Sequence, residues 1–215
     1  EEKPNIRTSV SYSVLTPTTP YATTFLDASG QTTVDFTTGN TRHKIFQAIN
    51  AYAGTGTTVQ LDAMVLKNMF ANSGTPFTGT YVSLNGTGIQ LRNIVASSKS
   101  ATEAEAVRAK METYFVEMAA ISLASGATAS NGVAGKLGTR LVDAKGMETA
   151  QVIQKSLIGA LQLDYISNVL LNTGLTAENY TVVSGKNYTQ LEQNWDQAYA
   201  LLTLNPIYLA GSTDA

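Results

Sequence analysis

The sequence predicts a mainly α-helical protein, an antiparallel helix bundle with a short N-terminal β arm. Apolar residues recur three and four positions apart in several segments after residue 39, which is the spacing of a buried helix face. Two of these segments open with a capping-box pattern. Hydrophobic residues make up 43% of the 215 residues, enough to form a sizeable core. We therefore predict an irregular β arm over residues 1–38 and a helical bundle domain over residues 39–215.

The N-terminal arm is rich in turns and β-prone residues. Residues 7–15 partly alternate between apolar and polar side chains, which is typical of a strand. Pro17 and Pro20 interrupt the pattern that follows, and residues 32–36 are compatible with a second short strand. We expect this arm to pack over the helical body.

The first helices of the body follow directly. Helical spacing extends over residues 40–53, and glycines then end it. A second helix is predicted over residues 61–70, with Asp62 placed to cap its first turn. Residues 77–90 are expected to be irregular, and residues 90–97 to form a short helix.

The clearest helix begins at Ser100, which has capping-box spacing with Glu103. In a capping box each of the two side chains satisfies a free backbone N–H at the helix start. Residues spaced for one buried face follow, namely Val107, Met111, Tyr114, Phe115 and Met118. The Gly-, Ala- and Ser-rich residues 126–138 are predicted to be a flexible connection.

The next predicted helix, over residues 147–171, is apolar around most of its circumference, which is typical of the middle of a bundle. Gly159 and Ala160 lie at its centre. A helix glycine costs about 1 kcal/mol relative to alanine, so we expect close packing of another helix at this point.

The last helix opens with a second capping box, Thr189 with Glu192. Its apolar residues have the spacing of a buried stripe, and Pro206 is expected to end it. The predicted stripe contains Leu191, Trp195, Ala198, Tyr199 and Leu202.

Composition favours an extracytoplasmic location, at the cell surface or in the periplasm. Charged residues reach only 14%, against about 25% in an average soluble domain, and threonine occupies much of the polar surface. A net charge of −2 argues against nucleic-acid binding, which needs a basic stripe. Cysteine is absent, so disulfides, thiol catalysis and Cys-ligated zinc are excluded. Membrane attachment is expected only through a lipid anchor upstream of Glu1.

The residues suited to chemistry are few. His43 is the sole histidine and lies between two cationic residues, so a solvated first-turn histidine is the simplest interpretation. The sequence assigns no catalytic residue and no resident cofactor. Glu192 and Asp196 are four positions apart on one helix face and repel unless a cation lies between them, which makes them the best candidates for a divalent metal site. The capping role of Glu192 explains that residue equally well.

Trp195 and Tyr199 are the candidate ligand-binding residues. Four positions apart on one helix, they would form a platform for stacking a sugar ring if they were exposed. Their spacing beside Leu191 and Leu202 instead favours the core.

Several segments of the chain share a resemblance to one family, and the most specific of them is Gly146-Met147-Glu148-Thr149-Ala150-Gln151. The others are residues 30–36, 41–42, 45–52, 61–62, 66–72, 155, 157–161, 188–192 and 195–199. Together these segments resemble an uncharacterised, imelysin-like family of Bacteroidetes lipoproteins.

The resemblance implies an exported, lipid-anchored helical protein of unknown activity, of which this chain is the N-terminal half. Gln193, Asn194 and Gln197 stand where the resemblance implies histidine and a second acid around Trp195 and Asp196. The G-x-H-x-x-E motif of imelysins is absent from the chain. These departures make an imelysin-like peptidase the least favoured function.

Two other functions stay open. The first is a binding module for an unknown small ligand, peptide or glycan. The second is a structural subunit that assembles with copies of itself, because a half-length relative would leave one face uncovered.

Overall fold

The computed structural model describes residues 21–202, and these are mainly α-helical, as predicted. The strand predicted over residues 7–15 lies outside the described residues, as does Pro206. The α-helices are α1 (Tyr21–Thr24), α2 (Thr37–Thr55), α3 (Ala63–Ala71), α4 (Ala101–Ser122), α5 (Thr149–Ile158) and α6 (Gln190–Leu202). Short 3₁₀ turns occur at Gly79–Leu84, Arg92–Ile94 and Thr173–Thr176.

Regular β structure lies in the middle of the described chain and not in its N-terminal part. Strands β1 (Gly135–Leu137) and β2 (Arg140–Val142) form an antiparallel hairpin in which Gly135 pairs with Val142. Residues 32–36 form no strand, and only Thr32 makes an isolated bridge, to Leu26. The glycine-rich connection predicted to be flexible is therefore partly ordered. The backbone of residues 127–129 lies so close to Gly135 that a Cβ atom there would be 2.8 Å from it.

The chain divides into two compact units. The central unit is Thr41–Tyr165, and the terminal unit consists, within the described chain, of residues 21–40 and 166–202. The division predicted between residues 38 and 39 stays a prediction, and each unit is described by itself. Among the described helices, none combines the length and the apolar character that a membrane span requires.

Helix α4 organises the core of the central unit, where it packs against α3, α5 and β2. Its buried side chains recur at helical spacing, and Phe115 meets Phe70 of α3 edge to face at 5.5 Å. Val107 departs from the prediction, because it is 45% exposed while Ala104 occupies the buried position one turn earlier. The buried apolar residues of α4 are Ala104, Met111, Phe115, Met118 and Ile121.

The predicted helix caps are confirmed. The Ser100 side chain accepts a hydrogen bond from the Glu103 N–H, and the Glu103 carboxylate accepts one from the Ser100 N–H, which completes the capping box. Asp62 accepts the N–H of Met64 at 2.8 Å at the start of α3. These ends are set by residues two or three positions apart, which is why local sequence reveals them.

The long apolar helix changes its winding at the glycine. α5 continues as a π-helix over Gly159–Leu170, and the Leu171 N–H still donates to the Ile166 carbonyl at 2.8 Å. A Cβ atom on Gly159 would meet no described atom within 4 Å outside the backbone of its own helix. The prediction of close helix packing there is therefore wrong. Leu163 is 74% exposed, so the apolar circumference is not fully buried either. The wider winding shifts residues after Gly159 away from the faces that α-helical spacing assigns to them.

Candidate functional site

Helix α6 is turned opposite to its predicted orientation. Trp195 and Leu202, expected in the core, are 48% and 41% exposed, and Leu191 and Tyr199 are only half-buried. Of the predicted stripe, Ala198 alone is buried. The buried residues of α6 are Gln193, Asn194, Asp196, Gln197, Ala198, Ala200 and Leu201. This helix therefore directs polar side chains inward and an apolar stripe outward.

The inward polar residues are retained because they bind backbone groups of neighbouring loops. Asn194 donates from its side-chain amide to the carbonyl of Gly174 at 2.9 Å. Gln193 donates to the carbonyl of Asp35 at 3.2 Å, and Asp196 accepts the Asp35 N–H at 2.8 Å. Loop backbone groups need partners once they are buried, and these side chains supply them. An apolar residue at any of the three positions would leave such a group unpaired.

A close backbone approach reinforces this orientation. A Cβ atom on Gly39 of α2 would lie 2.6 Å from the Cβ of Ala200 and 3.1 Å from the carbonyl oxygen of Gln197. Only a residue without a side chain fits there. The small residues Gly39 and Ala200 thus bring the start of α2 directly against α6.

Asp196 is the most perturbed carboxyl group of the terminal unit. It is 3% exposed and accepts hydrogen bonds from the Asp35 N–H and the Tyr21 hydroxyl. Burial, opposed by these hydrogen bonds and assisted by the negative charges of Glu192 and Asp35, raises the pKa of Asp196 to about 6. Burial and the adjacent Asp196 also raise the pKa of Tyr21. The carboxyl group therefore holds its proton more tightly than an exposed aspartate does.

Glu192 has the capping role that the sequence allowed it. Its carboxylate accepts the Thr189 N–H at 2.7 Å, and its own N–H donates to the Thr189 hydroxyl at 3.3 Å. Within residues 21–202, no group of three or more His, Cys, Asp or Glu side chains is arranged to hold a metal ion. A divalent metal between Glu192 and Asp196 stays a prediction.

The two candidate ligand-binding aromatics have different surroundings. Tyr199 stacks on Tyr21 at 4.3 Å and on Phe36 at 5.4 Å, which fixes its ring. Trp195, one turn earlier, presents about half of its side chain to solvent. The exposure that a stacking platform requires is thus met at Trp195, and ligand binding there stays a prediction.

His43 lies in the central unit, within α2. It is partly buried, its ring lies 6.0 Å from that of Phe46, and burial lowers its pKa. The expectation of a solvated first-turn histidine therefore needs correction. Helix α2 begins at Thr37, so His43 lies in its second turn, with its ring beside that of Phe46.

The central unit also contains a cavity that sequence reasoning missed. Its volume is about 140 Å³, and α2, α4, α5 and the β1–β2 hairpin all contribute to its wall. Three side-chain amides line it, from Asn50 of α2 and from Gln151 and Gln154 of α5. Gln151 and Gln154 have the spacing of one helix face, but only the tertiary structure brings Asn50 to them.

The described residues form a mainly α-helical protein of two units. One unit contains a cavity lined in part by side-chain amides, and the other contains a helix with an exposed apolar face. More particularly, the chain belongs to the family described as a domain of unknown function (DUF4856), which matches residues 21–206. No curated protein and no solved structure matches the chain.

Proposed function

We propose that this protein is an extracytoplasmic, imelysin-like binding module of a Bacteroidetes cell, displayed at the cell surface or in the periplasm by an upstream lipid anchor. The observation that carries the binding role is the exposure of Trp195 on a helix whose polar side is buried. Tryptophan offers a large, rigid apolar face, and an exposed one is a typical contact for a ligand. The low charge and the abundance of threonine support the location.

The ligand that best fits Trp195 is a glycan. A sugar ring stacks its C–H face on an indole and leaves its hydroxyl groups for neighbouring polar atoms. Tyr199, held by Tyr21 and Phe36, gives the platform a rigid continuation. No metal enters this proposal, because Glu192 and Asp196 already accept hydrogen bonds from the protein.

The test is binding to a glycan array, with hits quantified by calorimetry. We expect Trp195→Ala to lose binding by about fivefold or more, since one stacked ring contributes on the order of 1 kcal/mol or more. Leu163→Ala is the matched control, because Leu163 is also an exposed apolar helix residue but lies in the central unit. Equal binding by wild type and Trp195→Ala would refute the role of this face.

A second candidate function is a structural subunit that assembles with copies of itself. The same outward stripe favours it, since Trp195 and Leu202 lie two turns apart and are both exposed. Light scattering over a hundredfold range of concentration separates the two functions. A mass that rises with concentration, and returns to the monomer value in Trp195→Glu, would support assembly. A strict monomer would exclude it.

A further inference from the structure

The cavity of the central unit is lined by polar groups that the protein itself leaves unused. The side-chain amides of Asn50, Gln151 and Gln154 make no hydrogen bond to any described residue. All three are half-buried, so part of each amide is also withdrawn from bulk water. Side-chain amides that have no protein partner pair with water or with a bound molecule. Three of them line one cavity, where a ligand that enters can exchange hydrogen bonds with all three.

The chemistry of these amides selects the kind of molecule. Each carboxamide offers two N–H donors beside a carbonyl acceptor. A hydroxyl group both donates and accepts, so two neighbouring hydroxyls can pair with one carboxamide through both of its ends. Thr57 and Thr139 add further hydroxyl groups to the wall. The cavity therefore suits a ligand that carries several adjacent hydroxyl groups.

The charged residues of the wall neutralise one another. One guanidinium nitrogen of Arg140, Nη1, lies 2.9 Å and 3.1 Å from the two carboxylate oxygens of Glu148. Such a pair leaves no uncompensated charge to attract an ion. A neutral ligand thus fits the electrostatics better than an anion or a cation.

Size and shape restrict the ligand further. A volume of about 140 Å³ lies below the roughly 300–1,000 Å³ of sites for drug-sized molecules. Met118, Ala53 and Leu141 supply apolar wall against which the C–H groups of a small ring can rest. Gly54 lines the cavity without a side chain, and no described atom lies within 4 Å of a Cβ built there.

We propose that this cavity is a binding site for one neutral, monosaccharide-sized polyhydroxyl ligand. The site goes beyond the surface at Trp195 and does not depend on it, because every residue that lines it belongs to the central unit. The carboxamides of Asn50, Gln151 and Gln154 recognise the hydroxyl groups, and Met118 supports the ring.

The test is saturation-transfer NMR and calorimetry on the full chain with a panel of free pentoses, hexoses and N-acetylhexosamines. Gly54 lines the cavity and has open space at its Cβ position, so Gly54→Leu adds a bulky side chain at the cavity wall, and we expect it to lower affinity at least tenfold. Gly159→Leu is the matched control, because Gly159 is also a helix glycine with open space at its Cβ but does not line the cavity. It should bind as wild type does.

A second pair of variants tests the amides themselves. Gln154→Met keeps the length of the side chain and removes its hydrogen bonds, so we expect a loss of about threefold to tenfold, the value of one net hydrogen bond. Lys155→Met, next to it on the exposed side of α5, should have no effect.

Three results would overturn the proposal: no saturable binding of any sugar in the panel, unchanged binding in Gly54→Leu, or equal losses in Gly54→Leu and Gly159→Leu. Loss of glycan-array binding in Trp195→Ala with retained monosaccharide binding would confirm that the two sites are independent. Binding to the glycan array without binding of any free monosaccharide would support the surface at Trp195 and refute the cavity as a binding site.

Discussion

The side chain of Asp196 accepts the backbone N–H of Asp35 at 2.8 Å, a contact between residues 161 positions apart. It ties the loop before α2 to the polar side of α6. The amide of Gln193 holds the carbonyl of the same Asp35, so both backbone groups of this residue are bound by one helix. The orientation of α6 within the terminal unit therefore depends on polar contacts as much as on apolar burial.

The first prediction concerns the pH dependence of this contact. The pKa of Asp196 is raised from 3.8 to about 6 in the folded protein, so the folded state binds the proton more tightly than the unfolded state between these values. Protonation of Asp196 therefore adds to the free energy of unfolding as the pH falls from about 6 to about 4, and this contribution is lost above pH 6. The change is about 3 kcal/mol.

Asp196→Asn isolates that contribution, because asparagine accepts the Asp35 N–H but does not ionise. Urea unfolding gives the difference in unfolding free energy between the variant and wild type. We expect this difference to favour the variant more at pH 7.5 than at pH 4.5. Glu103→Gln is the control with the opposite sign, since hydrogen bonds from Ser100 lower the pKa of Glu103. A difference between wild type and Asp196→Asn that is constant with pH would contradict the prediction.

The second prediction concerns the approach of α2 to α6. Gly39→Ala places a methyl group 2.6 Å from the Cβ of Ala200, and we expect a loss of about 1–3 kcal/mol of unfolding free energy. The double variant with Ala200→Gly should recover part of that loss. Gly54→Ala on the same helix meets no atom and should be neutral or stabilising. Thermal unfolding measures all three, and an undisturbed Gly39→Ala would mean that the two helices do not touch there.

The third prediction concerns a buried hydroxyl at the end of α4. Ser122 is 1% exposed, accepts the Leu61 N–H at 2.8 Å and donates to the carbonyl of Ala119 at 2.6 Å. Ser122→Ala leaves the Leu61 N–H without a partner, which costs about 1–3 kcal/mol. Thr113→Ala removes an exposed hydroxyl on the same helix and should change stability little. Chemical denaturation of both variants tests the difference, and equal effects would refute it.

Local sequence was sufficient for the helix starts. The capping boxes at Ser100 and Thr189 and the cap at Asp62 depend on hydrogen bonds between residues two or three positions apart. Such contacts form wherever the helix forms, whatever packs around it. Periodicity likewise located α2, α3 and α4 and the mainly helical fold.

The orientation of α6 and the composition of the cavity were decided only by the tertiary structure. The apolar spacing around Trp195 predicted burial, but the loop at Asp35 and the carbonyl of Gly174 require the polar side of the helix. The spacing of apolar residues is a local pattern. It gives no information about backbone groups from distant segments that need hydrogen-bond partners once they are buried. Asn50 of α2 and Gln154 of α5 likewise meet at one cavity only in the folded protein, and no local pattern connects residues so far apart in the chain. The sequence by itself thus determined the mainly helical fold and the starts of the helices that have local caps. The tertiary structure decided which faces are buried and which polar side chains meet at the cavity.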